Sequence, residues 1–229
     1  MKELFEKWKN IFDFDAFIED GIVCAQNYEK PHVLFVLRDM NCREKNKDLC
    51  EDLRNHGSGW KTWNNVGRWV KALLDGDTEY PYDMRNRKEE LKRIAVMNLK
   101  KEGGGSRTNG AELEESVKAQ RTLILEEIKL CDPDIIICCG LSARGIKANS
   151  TLLQEYIFGL EDDVCKTFES EELNREWSYF YADINNKSVP VISFAHPQAT
   201  CLNGKRGHED LFKPLYKDML KIKEMFLKK

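Results

Sequence analysis

Val33-Leu34-Phe35-Val36-Leu37 runs straight into Arg38-Asp39-Met40-Asn41. Five consecutive apolar residues, rich in strand formers, read as a β-strand covered on both faces, because a half-solvated strand would alternate. Strands of that kind belong inside parallel sheets. Asp39 then stands just past the C-terminal end of such a strand, the edge where open α/β sheets bind ligands.

The same grammar recurs outward from this point. Ile94-Ala95-Val96-Met97 breaks into Asn98, Ile135-Ile136-Ile137-Cys138-Cys139 into Gly140, and the strand Pro190 to Ala195 into His196-Pro197-Gln198. Helical spacing fills the intervals. Trp63, Val66, Val70, Leu73 and Leu74 mark one helix, and a short charged one spans Asn86 to Arg93. Val117, Leu123, Ile124, Ile128 and Leu130 mark a long helix over Glu112–Leu130. Leu211, Leu215, Met219 and Ile222 mark a helix over Asp210–Phe226. Leu4, Phe5, Trp8, Ile11 and Phe12, then Phe17, Ile18, Ile22 and Val23, predict one or two helices before Tyr28. Residues 38–59 read as a long polar loop, and Trp177–Tyr181 as an extra strand beyond an acidic stretch of no assignable function. The expectation is one domain over residues 1–229, with the helical segment 1–30 packed on it. Its fold class is α/β, three layers α/β/α around a central, mostly parallel four-stranded sheet.

Composition removes several classes. With 36 Lys and Arg against 39 Asp and Glu, the net charge is −3, so nucleic-acid contact must come from local basic loops. Mean hydropathy is −0.57, and no apolar run approaches the ~20 residues of a membrane-spanning helix. Met1–Asn10 lacks the apolar segment of a secretory signal, so a cytoplasmic protein without membrane contact is expected. None of the eight cysteines has Cys-x-x-Cys spacing, which argues against a zinc ribbon or dithiol motif and for free thiols. No metal and no cofactor is required.

A carboxylate (Asp39), a carboxamide (Asn98) and an imidazole (His196) thus fall at equivalent places after three strands. Singly, Asp39 reads as a turn cap, Asn98 as a loop-backbone partner and His196 as an ordinary buried histidine. Their shared position is what favours a site.

In this order and strand context the motifs resemble the uracil-DNA glycosylase superfamily, in particular its shorter microbial branches. Val36-Leu37-Arg38-Asp39-Met40-Asn41 matches the loop whose acid acts on the attacking water. Val96-Met97-Asn98 matches the strand whose Asn reads the flipped base, and Ala195-His196-Pro197 the histidine motif. Glu112 to Gly140 matches the long helix, proline and strand, so the likeness covers roughly residues 33–200. It implies catalysis by Asp39 and His196, and a base pocket of Asn98, Arg38, Asn41 and a stacking aromatic, Trp60 or Trp63. It implies a DNA partner and, here, a monomer. The chain departs from the pattern at Arg38, where a Gly is usual, at Met40 (Pro) and at Gln198 (Ser). Lys101 stands where an iron–sulfur ligand would follow the middle strand, so no cluster is expected.

Lys100, Lys101, Ser106 and Arg107, with the intervening glycines, make a candidate phosphate loop. Gln198, Lys205 and Arg206 make a second, and Leu202 is the candidate duplex wedge. Either loop also reads as a solvated surface turn. The implied function is hydrolytic removal of a uracil-like or modified pyrimidine, including one in foreign DNA. The rivals are a non-catalytic nucleotide or nucleic-acid module of the same fold, a hydrolase of small nucleosides, and an enzyme using Cys201 as nucleophile.

Overall fold

The computed structural model describes residues 1–42, 46–59, 61–104, 109–143 and 145–228. The chain opens with α1 (Lys2–Ile11), then two short strands, β1 (Ile18–Glu19) and β2 (Gly21–Ile22), and β3 (Val33–Leu37). β4 (Lys47–Asp48) leads into α2 (Leu49–His56), and α3 (Thr62–Val70) continues as a wider π turn over Lys71–Asp75. α4 (Arg87–Leu91), β5 (Ala95–Asn98), α5 (Gly110–Cys131) and β6 (Ile135–Cys139) follow. α6 (Asn149–Leu152), β7 (Lys166–Ser170), β8 (Arg175–Ile184), β9 (Lys187–Phe194) and α7 (Lys213–Phe226) complete it.

The fold is mixed α/β. The main sheet has seven strands in the order β2-β5-β3-β6-β9-β8-β7, not the four expected. β5, β3, β6 and β9 pair in parallel; β2, β8 and β7 add antiparallel edges. The apolar runs account for the parallel members, since all of β3, β5 and β6 is buried. The extra strand expected over Trp177–Tyr181 lies within β8, whereas β7 escaped the reading because it is a mostly exposed edge strand whose charged residues blunt it.

Alternate strand residues feed two cores. Phe35, Leu37, Val96, Ile137 and Phe194 join Trp63, Trp69, Trp177 and Met219 on one face. Leu34, Val36, Met97, Ile136 and Val191 join Leu4, Trp8, Leu113, Ile124 and Ile128 on the other. Trp69 meets Phe194 edge-on at 5.1 Å, and Trp177 lies 4.4 Å from the same ring. Aromatic pairs in these geometries contribute about 0.5–1.5 kcal/mol beyond burial.

Two other expectations are corrected. Phe17 to Val23 is not helical: Gly21 has φ +114, and its neighbours form β1 and β2. Residues 38–59 are not a structureless loop, because Asp48 caps α2 by accepting from the Glu51 N–H, and Gly57 closes it at φ +66.

Candidate functional site

The parallel register sets the site. Leu37 pairs with Asn98, and Cys139 with Phe194, so the residues that follow these strands form one row along one edge. The β3 and β5 exits stay paired for two more steps, Leu99 N–H to Leu37 O and Lys100 N–H to Arg38 O.

Arg38 projects across the end of β6. Its Nε donates to Asn149 Oδ1 at 3.2 Å and its Nη2 to Leu141 O at 2.5 Å. Gly140 makes this crossing possible: it has φ +143, and a Cβ there would lie 3.1 Å from Arg38 Nε. Asn149 is fully buried and donates to Val36 O and Cys139 O, tying two strand ends to the first turn of α6. Burial holds the Arg38 pKa below its usual value, while neighbouring Asp39 opposes that shift.

His196 is half-buried at the end of β9. Burial, reinforced by the Arg38 charge, pushes its pKa down to about 4. The ring is therefore neutral at pH 7. Its Nδ1 accepts the Gln198 N–H at 3.1 Å, which assigns the single ring proton to Nε2. The loop is braced from α3: Asn65 Nδ2 donates to Pro197 O at 2.6 Å, and Arg68 Nη1 donates to Asn65 Oδ1 at 2.7 Å.

Asp39 is half-buried beside the loop that follows β5. A Cβ on Gly104 would lie 3.3 Å from Asp39 Oδ2, and one on Gly103 would clash with Cys42 O. Gly103 thus packs against the Cys42 backbone and Gly104 against the Asp39 side chain, which holds the β3 and β5 loops in close contact.

Asn98 is 2% exposed, and its N–H and Nδ2 both donate to Asp20 Oδ2, at 2.7 and 3.1 Å. A carboxylate only accepts, so the amide orientation is fixed with Nδ2 toward Asp20. Asp20 also pairs with Lys101, whose Nζ lies 2.6 Å from Glu127 Oε2 and 5.1 Å from the Trp8 ring centre. All three charged side chains lack solvent exposure.

Several candidates are thereby relocated. Lys101 is a core cation that no phosphate can reach. Lys100 is mostly covered and lies 3.7 and 3.6 Å from Glu102 and Glu112. Trp63 is 4% exposed within the core, so its ring is packing rather than an open stacking face. Leu202 packs against the core as the base of a turn whose tip is Asn203-Gly204, so it is no projecting wedge. Asn41, Gln198, Lys205 and Arg206 are exposed. Lys205 and Arg206 pair with no carboxylate among the described residues. Trp60, Ser106 and Arg107 lie outside the described residues.

The structure brings Arg38 to Asp39 and His196, and Asn98 to Asp20 and Lys101. Asn149, Asn65, Arg68, Asp20 and Glu127 were missed. Their one sequence signal is polarity at helical core-facing positions: Asn65 and Arg68 flank Val66, and Glu127 precedes Ile128. Cys138 and Cys139 are buried thiols whose pKa burial raises, and Cys201 is an exposed free thiol. Among the described residues no group of three His, Cys, Asp or Glu is placed to hold a metal ion, and no helix is long and apolar enough to cross a membrane.

Chemically, the edge offers a carboxylate, a half-buried guanidinium and a neutral imidazole with an N–H to donate. No protein-family model matches the chain, and no curated protein matches it.

Proposed function

We propose that the chain is a monofunctional DNA glycosylase of uracil-DNA glycosylase type, hydrolysing the N-glycosidic bond of a flipped-out uracil-like or modified pyrimidine. The carrying observation is His196: a neutral ring at pH 7 with its proton on Nε2. Breaking an N-glycosidic bond builds positive charge on the sugar and negative charge on the departing base. Nε2–H donates to a carbonyl oxygen of that base, and the Arg38 charge nearby adds to the stabilisation. One pre-oriented donor of this sort is worth about 3–4 kcal/mol at a water-excluded site. Asp39 orients water and stabilises the sugar cation. Asn98, its amide locked by Asp20, offers Oδ1 and its remaining N–H to the base edge.

The test is base release from oligonucleotides carrying uracil opposite guanine, uracil in single strands, or modified cytosines. Wild type is compared with Asp39→Ala and His196→Ala. Abasic sites that need both side chains support the reading; no release from any substrate overturns it.

One observation favours a hydrolase of small nucleosides, which needs no basic loops. The β5 loop that was to grip phosphate has Lys101 in the core and Lys100 beside two carboxylates. Base release from free pyrimidine nucleosides, with none from the oligonucleotide panel, is the outcome that selects this reading.

A further inference from the structure

α3 directs Asn64, Asn65 and Arg68 toward the loop after His196, with Lys61 just before its first turn. With Pro197 and Phe212 these residues line an open cleft of about 980 Å³. It begins one residue past His196, and neither Asp39 nor His196 is in its wall.

Three features of this cleft ask for a ligand. Arg68 is 6% exposed, and its guanidinium donates to Pro81 O, Tyr82 O and Asn65 Oδ1 and lies 5.2 Å over the Tyr80 ring, all of them neutral groups. Among the described residues no carboxylate pairs with it, so a buried positive charge stands without a counter-charge beside the cleft. Asn64 Oδ1 is buried without a donor. Such orphaned acceptors are rare enough in native proteins to need a cause. Finally, His208 and Phe212 lie 5.2 Å apart, edge-on, with Tyr80 hydroxyl 2.8 Å from His208 Nδ1 behind them. That wall is aromatic and braced.

We propose that this cleft holds the nucleotide adjacent to the one presented to His196, with its phosphate at Lys61 and Arg68 and its base against His208 and Phe212. An acidic peptide would neutralise Arg68, and its backbone N–H groups could serve the Asn64 acceptor, but its carboxylates bring no flat face to the aromatic wall. A nucleotide supplies an anion, a flat face and a ring or amine N–H together. Asn64 and Arg68 stand four residues apart on one helix face, so one ligand spans both. Because Asn65 grips Pro197 O, occupancy of the cleft also steadies the His196 loop. The choice of a nucleic-acid strand as ligand rests on the glycosylase reading above.

The test is binding of a fluorescein-labelled single-stranded thymidine oligonucleotide, followed by anisotropy across a salt series. Asn64→Asp gives Arg68 the missing carboxylate at i, i+4; Lys61→Glu reverses an exposed charge that supports no packing. Each is expected to weaken binding about tenfold, the worth of one charge-assisted hydrogen bond. Each also makes the log affinity–log salt slope shallower by about 0.7. The melting temperature of Lys61→Glu stays at the wild-type value, because that side chain is exposed. Wild-type affinity and slope in both variants overturn the proposal. If both variants bind weakly while wild type releases no base from the panel, the cleft stands and the glycosylase reading falls. If base is released and both variants bind as wild type does, the reading stands and the cleft proposal falls.

Discussion

The backbone N–H of Gln198 donates to Nδ1 of His196 across 3.1 Å, and this bond decides where the imidazole keeps its proton. With Nδ1 engaged as an acceptor, protonating the ring means breaking that bond as well as charging a half-buried group beside Arg38. A folded pKa of about 4 against 6.5 in the free side chain follows from burial first and Arg38 second. As pH falls, the unfolded chain takes up the proton before the folded one does. His196 therefore leaves stability intact above about pH 6.5 and erodes it progressively down to about pH 4, by up to ~3 kcal/mol. Urea denaturation at pH 7 and pH 4.5 measures this. The loss between the two is expected to shrink in His196→Ala, and the ring proton signals of His196 should not titrate between pH 8 and 5.5. A midpoint near 6.5 refutes the assignment.

The core cation Lys101 lies between Asp20 and Glu127, and neither Glu127 oxygen has a donor at good hydrogen-bond geometry. Burial, with Asp20 nearby, raises the Glu127 pKa well above the ordinary value although Lys101 opposes the shift. The cluster is thus a Lys101–Asp20 pair with a carboxyl that prefers its proton. Lys101→Met leaves buried acids without their cation and is expected to cost about 3–5 kcal/mol. Glu127→Gln keeps the neutral shape and costs little near pH 5. Because the folded state holds the extra proton, wild type loses stability as pH rises above the unfolded carboxyl value of 4.5, and the Gln variant does not. Relative to wild type, Glu127→Gln should gain stability from pH 5 to pH 8. The same difference at both values would show that Glu127 is ionised throughout.

The strands that carry the edge were legible because burial on both faces leaves an unbroken apolar run, as in Val33–Leu37 and Ile135–Cys139. The polar residue after each run was legible for the same reason. What lies around them was not. Asp20 reaches Asn98, and Asn65 reaches Pro197, across 78 and 132 residues of chain, and no local spacing encodes such pairs. Lys101 looked like a loop cation because its neighbours are Lys100, Glu102 and glycines; only the fold shows two acids waiting for it. The helix Leu49–His56 was written in its caps, Asp48 and Gly57, but masked by charged residues along its length.

Asn149 uses its whole side chain on the strand ends: Nδ2 to Val36 O and Cys139 O, Oδ1 to Arg38 Nε. Replacing it with Ala strands two buried carbonyls and releases Arg38. The expected loss is about 2–4 kcal/mol by denaturant titration. Since the Arg38 charge helps to depress the His196 pKa, freeing Arg38 should also move that pKa upward. A destabilised Asn149→Ala protein with an unmoved His196 titration would show that Arg38 holds its place without this partner.

Two basic side chains near the site have stayed in solvent, and they separate surface charge from core charge. Leu202 and Lys205 exchange backbone hydrogen bonds around Asn203-Gly204, both with positive φ (+47 and +78), which is the geometry of a tight hairpin turn. Asn203 Nδ2 donates to Leu173 O and Asn174 O, so the turn is fastened to the β7–β8 connection rather than loose. A fixed turn holding two exposed cations suits the phosphates of a bound strand. Reversing both, Lys205→Glu with Arg206→Glu, should leave the melting temperature unchanged because both side chains stand in solvent. It should weaken binding of a single-stranded oligonucleotide and flatten its salt dependence by about 0.7 in log–log slope for each phosphate that the turn no longer neutralises. Lys101→Glu, changed by the same charge, should instead fail to fold stably, since it adds a third acid to the core. If the double reversal binds with the wild-type slope, this turn neutralises no phosphate.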